Sequence, residues 1–352
     1  MNWRPAFPPF FKLINRILPA KSSQAPVVGF DIGTHFIKAI EIGPLGNSFE
    51  IHRWTLEPAE GADTLSALKR AASCMSMKNQ IPVASVSGKG TLIRYIDMPR
   101  MSLEELRKSF VYEIDKYFPF NPQEIYTDCY IVDPQSKEKK MSVLVAATKK
   151  ELVDDRIKLF KEAGMELTHV TTDSVVMANA FNQLANTELA AGARAILDIG
   201  GSFSNLMILD KGHFPSFTRD IFIGSQELSK EIANILGVDM AKAEELKRSP
   251  ADQYEEVMQA CEVPIGKLIG ELQLSFDYFS TEKNIPVVEL FLVGGGALLK
   301  GIEGAFEKSL NIPVKIWNPL AGLHLGSEAA SSDIHLCSSQ LGVAIGLALT
   351  KV

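Results

Sequence analysis

Two stretches of this chain use the same device. In VVGFDIGTHFIKAIEI, residues 27–42, an apolar run ends at Asp31-Ile32-Gly33-Thr34 and turns back into a second apolar run. In ARAILDIGGSFSNLMILDKG, residues 193–212, Asp198-Ile199-Gly200-Gly201 does the same, and each Asp has a Phe five positions later, Phe36 and Phe203. Such units read as hairpins whose tips carry chemistry. The glycine lets backbone N–H groups approach an anion closely, and hydroxyl neighbours such as Thr34 and Ser202 add donors, so a phosphate fits the tip. A carboxylate at the same tip repels phosphate unless a divalent cation stands between them; Asp31 and Asp198 therefore imply Mg²⁺, held through water.

A third stretch, LFLVGGGALLKGIE, places Gly294, Gly295 and Gly296 between a buried strand and a helix, where bare backbone can lie under a base, sugar or phosphate. Three such elements in this order describe a nucleotide held between two lobes, with ATP and Mg²⁺ as the expected cofactors. The dinucleotide-binding alternative requires GxGxxG after the first strand, and GFDIGTHF lacks it. Lys38 can neutralise charge beside the phosphates, or it can snorkel to the surface. His35 can donate to a phosphate oxygen, or simply occupy the loop tip.

The rest of the chain alternates strand-like and helical patterns, the mark of an α/β protein. Residues 90–166 read as a self-contained block: strand TLIRYIDMP, helix MSLEELRKSFVYEIDKYF, strands IYTDCYIV and MSVLVAAT, and helix KELVDDRIKLFKEAG. A helix-rich stretch follows from Ser225 to Thr281, and helices are expected from Ala297 to Ser309 and over SSQLGVAIGLALTKV.

Composition excludes several classes. A net charge of −6 gives no basic footprint for nucleic acid. The four cysteines form no CxxC pair and read as reduced structural thiols. No stretch approaches the roughly 20 apolar residues of a spanning helix. Residues 1–25, however, hold Arg4, Lys12, Arg16 and Lys21 and no acidic residue. Within them FFKLINRIL places Lys12, Asn15 and Arg16 on one helical arc and the apolar residues on the other, which suits an anionic lipid surface or a docking face on protein.

The three motifs resemble the phosphate-1, phosphate-2 and adenosine motifs of the actin-like and heat-shock-chaperone-like ATPases. The chain from Val27 onward resembles more closely the PilM family, actin-like proteins of type IV pilus assembly. That likeness covers residues 86–122, 143–164, 171–181, 217–233 and 292–306 besides the first hairpin. It implies an actin-like ATPase fold, a duplicated ribonuclease H-like architecture, with the 1C subdomain of the division protein FtsA. The implied division is subdomain 1A at 26–89 and 167–191, 1C at 90–166, 2A at 192–224 and 285–330, 2B at 225–284, and a C-terminal helix at 331–352 returning to 1A.

Residue by residue, the resemblance puts Asp31, Gly33, Thr34 and Lys38 on the first phosphate loop and Asp198, Gly200, Gly201 and Ser202 on the second. Gly294 to Gly296 fall on the adenosine motif. Glu244 and Lys247 fall beside ribose and adenine, although a solvated helix face suits them equally. Asp173 falls where hydrolysing relatives orient water; it can act as a base or cap the following helix. Having His35 and Phe36 where relatives often carry small hydroxyl residues argues against fast hydrolysis. The implied partner is the cytoplasmic N-terminal peptide of a PilN-like inner-membrane protein, bound between 1A and 1C, with a PilO-like protein and the motor ATPases further along and homo-oligomers also conceivable. TLIRYIDMP can offer that peptide an edge, and Tyr117, Phe118 and Phe120 can offer pockets or fill the 1C core. The alternatives are a small-molecule kinase, for which Asp173 is the one catalytic candidate, and an FtsA-like membrane-tethered filament protein.

Overall fold

The computed structural model describes residues 26–350 apart from 60–62, 79, 111, 133–138, 168, 186–190, 212–213 and 331. The amphipathic stretch at residues 10–18, and the whole 1–25 extension, lie outside the described residues. The first half begins with β1 (Val27–Ile32), β2 (Phe36–Leu45), β3 (Ser48–Pro58), α1 (Thr64–Cys74) and β4 (Ile81–Val86). It continues through β5 (Thr91–Pro99), α2 (Leu103–Phe110), α3 (Ile114–Tyr117), β6 (Ile125–Ile131), β7 (Lys140–Lys149), α4 (Lys150–Glu162), β8 (His169–Thr172) and α5 (Asp173–Leu184). The second half holds β9 (Ala193–Ile199), β10 (Ser204–Leu209), β11 (Pro215–Ile221), α6 (Ser225–Leu236), α7 (Met240–Arg248), α8 (Tyr254–Lys283) and β12 (Val287–Val293). Then come α9 (Ile302–Leu310), β13 (Val314–Ile316), β14 (His324–Leu325), α10 (Ser332–Leu336) and α11 (Gly342–Ala348).

The repeated device reflects a repeated sheet. One large sheet runs β14-β3-β2-β1-β4-β8 and the other β11-β10-β9-β12-β13. In both, three antiparallel strands from consecutive hairpins are followed by two parallel strands reached by crossovers. β1 and β9 hold the same central place, so Asp31 and Asp198 end equivalent strands. The registers match as well: Asp31 lies opposite Lys38 and Asp198 opposite Asn205.

The two large sheets share a core. α5 and α11 pack on each other, and a cluster containing Met177, Phe181, Leu341 and Ile345 joins Ile40 and Val83 of the first sheet to Ile196, Phe291 and Val293 of the second. The Phe181 ring meets Phe291 at 4.8 Å and Trp317 at 5.1 Å, both edge-on. α11 reaches β1 only because Gly29 is bare: a Cβ there would stand 2.2 Å from the Ala344 carbonyl oxygen. This contact brings the C-terminal helix back to the first sheet.

Several local expectations are corrected. The helix read over residues 101–118 breaks into α2 and α3, because Tyr112 N–H bonds Ser109 O at 3.1 Å and Glu113 N–H bonds Phe110 O at 3.0 Å. This tighter winding lets Phe110, Ile114 and Phe118 all reach the small core on the β5-β7-β6 sheet. Phe118 is buried there, with Tyr117 and Phe120 packed against it. α4, which the sequence assigns to the same block, instead buries Val153 and Phe160 in the core of the first large sheet, where Phe160 meets Phe30 edge-on at 5.4 Å. The block at 90–166 is therefore not self-contained. After β12 the glycines form a single 3₁₀ turn, Gly295–Leu298, and the helix starts only at Ile302, beyond the left-handed Gly301. The four cysteines are free, and no helix among the described residues is long and apolar enough to cross a membrane.

Because Phe181 joins the halves, truncating it should cost more than removing a ring from one layer. Phe181→Ala is expected to lower the unfolding free energy by about 3–5 kcal/mol, measured by denaturant titration.

Candidate functional site

Both hairpin tips and the glycine turn open on one cleft of about 420 Å³, the scale of a small-molecule site. From the first half it is lined by Asp31, Gly33, Thr34, His35, Lys38 and Asp173. The second half supplies Asp198, Gly200, Gly201, Glu244, Lys247, Gly294 and Gly295. Two expected residues do not line it. Ser202 sits at the mouth, its hydroxyl 2.9 Å from the Thr34 hydroxyl, so the two tips touch across the cleft. Gly296 lies behind the wall, where a Cβ would meet the Ile199 side chain at 2.2 Å.

The electrostatics begin with Lys38. Opposite Asp31 in the register, its ammonium donates to the Asp31 carboxylate at 2.7 Å rather than snorkelling outward. Burial alone would push the lysine down, but Asp31, with Asp198 and Asp173 behind it, holds it above the ordinary lysine value. Asp198 has no such partner. Burial pushes its carboxyl up to about 7, with Lys38 opposing the shift and Asp31 and Asp173 adding to it. Gly294, at φ +88°, is what lets the strand end lie against this carboxylate, since a Cβ would fall 2.2 Å from Asp198 Oδ1.

Asp173 occupies the first turn of α5, with Thr172 at the cap position. Burial raises its pKa, Asp31 adds to the rise, and hydrogen bonds from Ser85 and Ser87 together with the Arg156 charge oppose it. The carboxylate is thus held by the ends of β4 and by α4. His35 projects between the tips, its Nδ1 2.9 Å from where a Gly201 Cβ would stand.

Of the pair Glu244 and Lys247, the lysine is off the solvated face while the Glu244 side chain is 40% exposed. Lys247 is 2% exposed and donates to Ser229 Oγ at 2.9 Å and to Glu244 Oε1 at 2.7 Å. Burial lowers the Lys247 pKa, while Lys247 and Ser229 hold Glu244 below the usual carboxylate range.

Sequence reasoning missed other residues of this wall. Asn205 stands seven positions after Asp198, as Lys38 stands seven after Asp31, so the shared offset was a usable signal. Gln340 and Ser339, in the turn before α11, had none; they reach the cleft because the C-terminal helix returns to the first sheet. Gln340 Oε1, Ser339 Oγ and Asn205 Oδ1 are buried without a hydrogen-bond partner.

Residues 29–352 match the family described as Type IV pilus assembly protein PilM. This chain belongs to that family. Among solved structures, a PilM–PilN type IV pilus biogenesis complex is similar at 22% identity, covering 94% of this chain and 98% of that one, with a TM-score of 0.80. The ethanolamine utilization protein EutJ from Carboxydothermus hydrogenoformans is similar at 15% identity, covering 97% and 94%, with a TM-score of 0.54. MreB5 of Spiroplasma citri bound to AMPPNP is similar at 15% identity, covering 92% and 95%, with a TM-score of 0.50. These likenesses show the fold, which is the actin-like ATPase fold that the family resemblance implied.

The raised Asp198 carboxyl makes the stability of the ligand-free chain sensitive to pH. A carboxyl whose folded pKa lies above its unfolded value binds protons more tightly when folded, so stability falls as pH rises from the ordinary Asp range of about 4 to about 7 and levels off above that. The melting temperature of ligand-free protein is expected to rise as pH falls from 8 toward 5, and Asp198→Asn to flatten that slope in scanning calorimetry.

Proposed function

We propose that this PilM-family chain is a cytoplasmic, nucleotide-loaded adaptor at the inner-membrane assembly complex of the type IV pilus, one that captures the N-terminal peptide of a PilN-like membrane protein. The observation that carries this reading is the meeting of Asp31 with Lys38, Asp198 and the bare Gly294 backbone in one interlobe cleft. The AMPPNP bound by MreB5 and the PilN in the PilM–PilN complex support it.

The wall suits ATP with Mg²⁺. Lys38 supplies a fixed cation, the bare glycine tips let a ligand approach the backbone closely, and the three unpartnered buried oxygens supply acceptors for a polar ligand. Among the described residues no group of three or more ligands forms a metal cage. Two carboxylates, Asp31 and Asp198, suit a Mg²⁺ carried chiefly by phosphates and water. Such an ion, when bound, would neutralise phosphate charge and relieve the repulsion around Asp198. Glu244 and Lys247, fixed by Ser229, would border the nucleoside end. Asp173, held by Ser85, Ser87 and Arg156, can orient a water, and His35 and Phe36 in place of small hydroxyl residues favour slow turnover at most.

The seam between the small sheet and α5 is the proposed peptide seat. Tyr95, Tyr130, Val175 and Asn179 line a small hollow there. A PilO-like protein and the motor ATPases would then be reached indirectly. Residues 1–25 would give a second attachment to the membrane surface.

Two measurements test the reading. Fluorescent ATP should bind wild-type protein in the presence of Mg²⁺ and lose at least about tenfold in affinity in Asp31→Ala, which deletes the partner of Lys38. Pull-down from membranes with ATP and Mg²⁺ should retain a small bitopic protein on wild type and far less of it on Asp31→Ala. Equal retention on both proteins would remove nucleotide control, and no retention on either would remove the adaptor role.

A further inference from the structure

A second cavity of about 680 Å³ opens between β5 of the small sheet and β11 of the second large sheet. Its rim carries three exposed apolar side chains, Phe222 (51%), Leu274 (62%) and Tyr278 (61%). Both walls are edge strands, since among the described residues β5 pairs only with β7 and β11 only with β10. The cavity shares Ser87, Asp173 and Asn205 with the cleft described above, so one thin wall separates the two spaces.

The covalent route from the first large sheet into the small sheet passes through that wall. β4 ends at Val86 and β5 begins at Thr91, leaving only Ser87, Gly88, Lys89 and Gly90 between them. Each lobe holds this connector. On the first side, Ser87 bonds the Asp173 carboxylate. On the second side, Gly88 N–H bonds the Asp220 carboxylate, the Lys89 ammonium lies 5.3 Å over the Phe222 ring, and Gly88 packs beside Phe203. Onward, Gly88 O accepts from Thr91 N–H at 3.0 Å and Gly90 O from Lys149 N–H at 2.9 Å, so a displaced connector carries β5 and the start of α4 with it. The positive φ of Gly88 (+78°) and Gly90 (+104°) places the two most adaptable residues at the bends.

Asn205 completes the path back to the cleft. Its Nδ2 donates to Asp220 Oδ1, while its Oδ1, buried and without a partner, is an unused acceptor beside the cleft. Burial pushes the Asp220 carboxyl up to about 6, with its bond from Asn205 opposing the rise, Asp173 adding to it and the bond from Gly88 opposing it again. A donor in the cleft, such as a metal-bound water, would engage the free end of Asn205 and draw on the same side chain that positions Asp220.

We propose that Asn205, Asp220 and Gly88 form an interlobe relay through which the occupant of the nucleotide cleft sets the position of the small sheet and the width of the cavity between β5 and β11. The relay rests on the nucleotide reading above. It adds a direction of communication: from the second lobe, across the connector, into the sheet that forms one side of the peptide seat. The Thr34–Ser202 hydroxyl contact bridges the two hairpin tips and does not touch the small sheet.

The test is hydrogen–deuterium exchange on the full chain with and without Mg²⁺ and AMPPNP, following backbone amides at 91–99 and 215–221. Nucleotide affinity is read separately by fluorescence. In wild type, nucleotide is expected to change exchange over residues 91–94 by at least about threefold. Asp220→Ala and, at an exposed position that leaves folding intact, Phe222→Ala should keep nucleotide affinity within about threefold while largely abolishing that change. If nucleotide binds and residues 91–94 do not respond, or if the response survives in both variants, the relay is overturned while the nucleotide reading stands. If nucleotide does not bind wild type at all, both fall.

Discussion

Everything at the cleft depends on carboxylates that the fold forces out of water. Asp31, Asp173 and Asp198 converge at the ends of equivalent sheets, and one ammonium, Lys38, is in direct contact with one of them. Two charges buried this way do not stabilise a protein to any great extent, because the desolvation cost offsets their attraction. Their value lies in position. An arrangement of clustered carboxylates, with bare backbone beside it, is prepared for a ligand that brings cations of its own; burial, with Asp31 and Asp173 adding and Lys38 opposing, raises Asp198 to about 7.

The duplicated sheet explains how two distant stretches of chain reach this arrangement. Each hairpin repeats the geometry of the other, so strand ends, tips and opposed residues fall into matched places on facing lobes. The copies then diverge: the first sets Lys38 opposite its Asp, the second sets Asn205. Charge on one side and a neutral amide on the other let the second lobe use its side chain twice, toward the cleft and toward Asp220. The shared core at Phe181 holds the lobes at their base, while the tips meet through the Thr34–Ser202 hydroxyl contact and the packing of His35 against Gly201.

How much of this was legible depended on whether local chemistry or distant packing placed each residue. The hairpin tips were readable because Asp, Gly and hydroxyl residues at fixed offsets have few other reasons to interrupt apolar strands. β5 was readable to the residue, bounded by Gly90 and Pro99. The break at Tyr112 and Glu113 was not, because the sequence there remains helix-compatible and the break serves the packing of Phe110 and Phe118. Lys247 was ambiguous for a related reason: a lysine three residues after a glutamate reads as a surface pair until the neighbouring helix supplies Ser229 and removes the water.

The sequence by itself determined that the chain is a duplicated α/β protein with paired acidic tips and a glycine-bearing strand end, because backbone freedom and strand periodicity are written locally. Only the tertiary structure decided that α4 leaves the inserted block for the first sheet, that Gln340 joins the cleft, and that Ser87 to Gly90 are held from both lobes. Those outcomes rest on which apolar faces meet and which polar groups lose their water. Residues far apart in the chain settle both questions together.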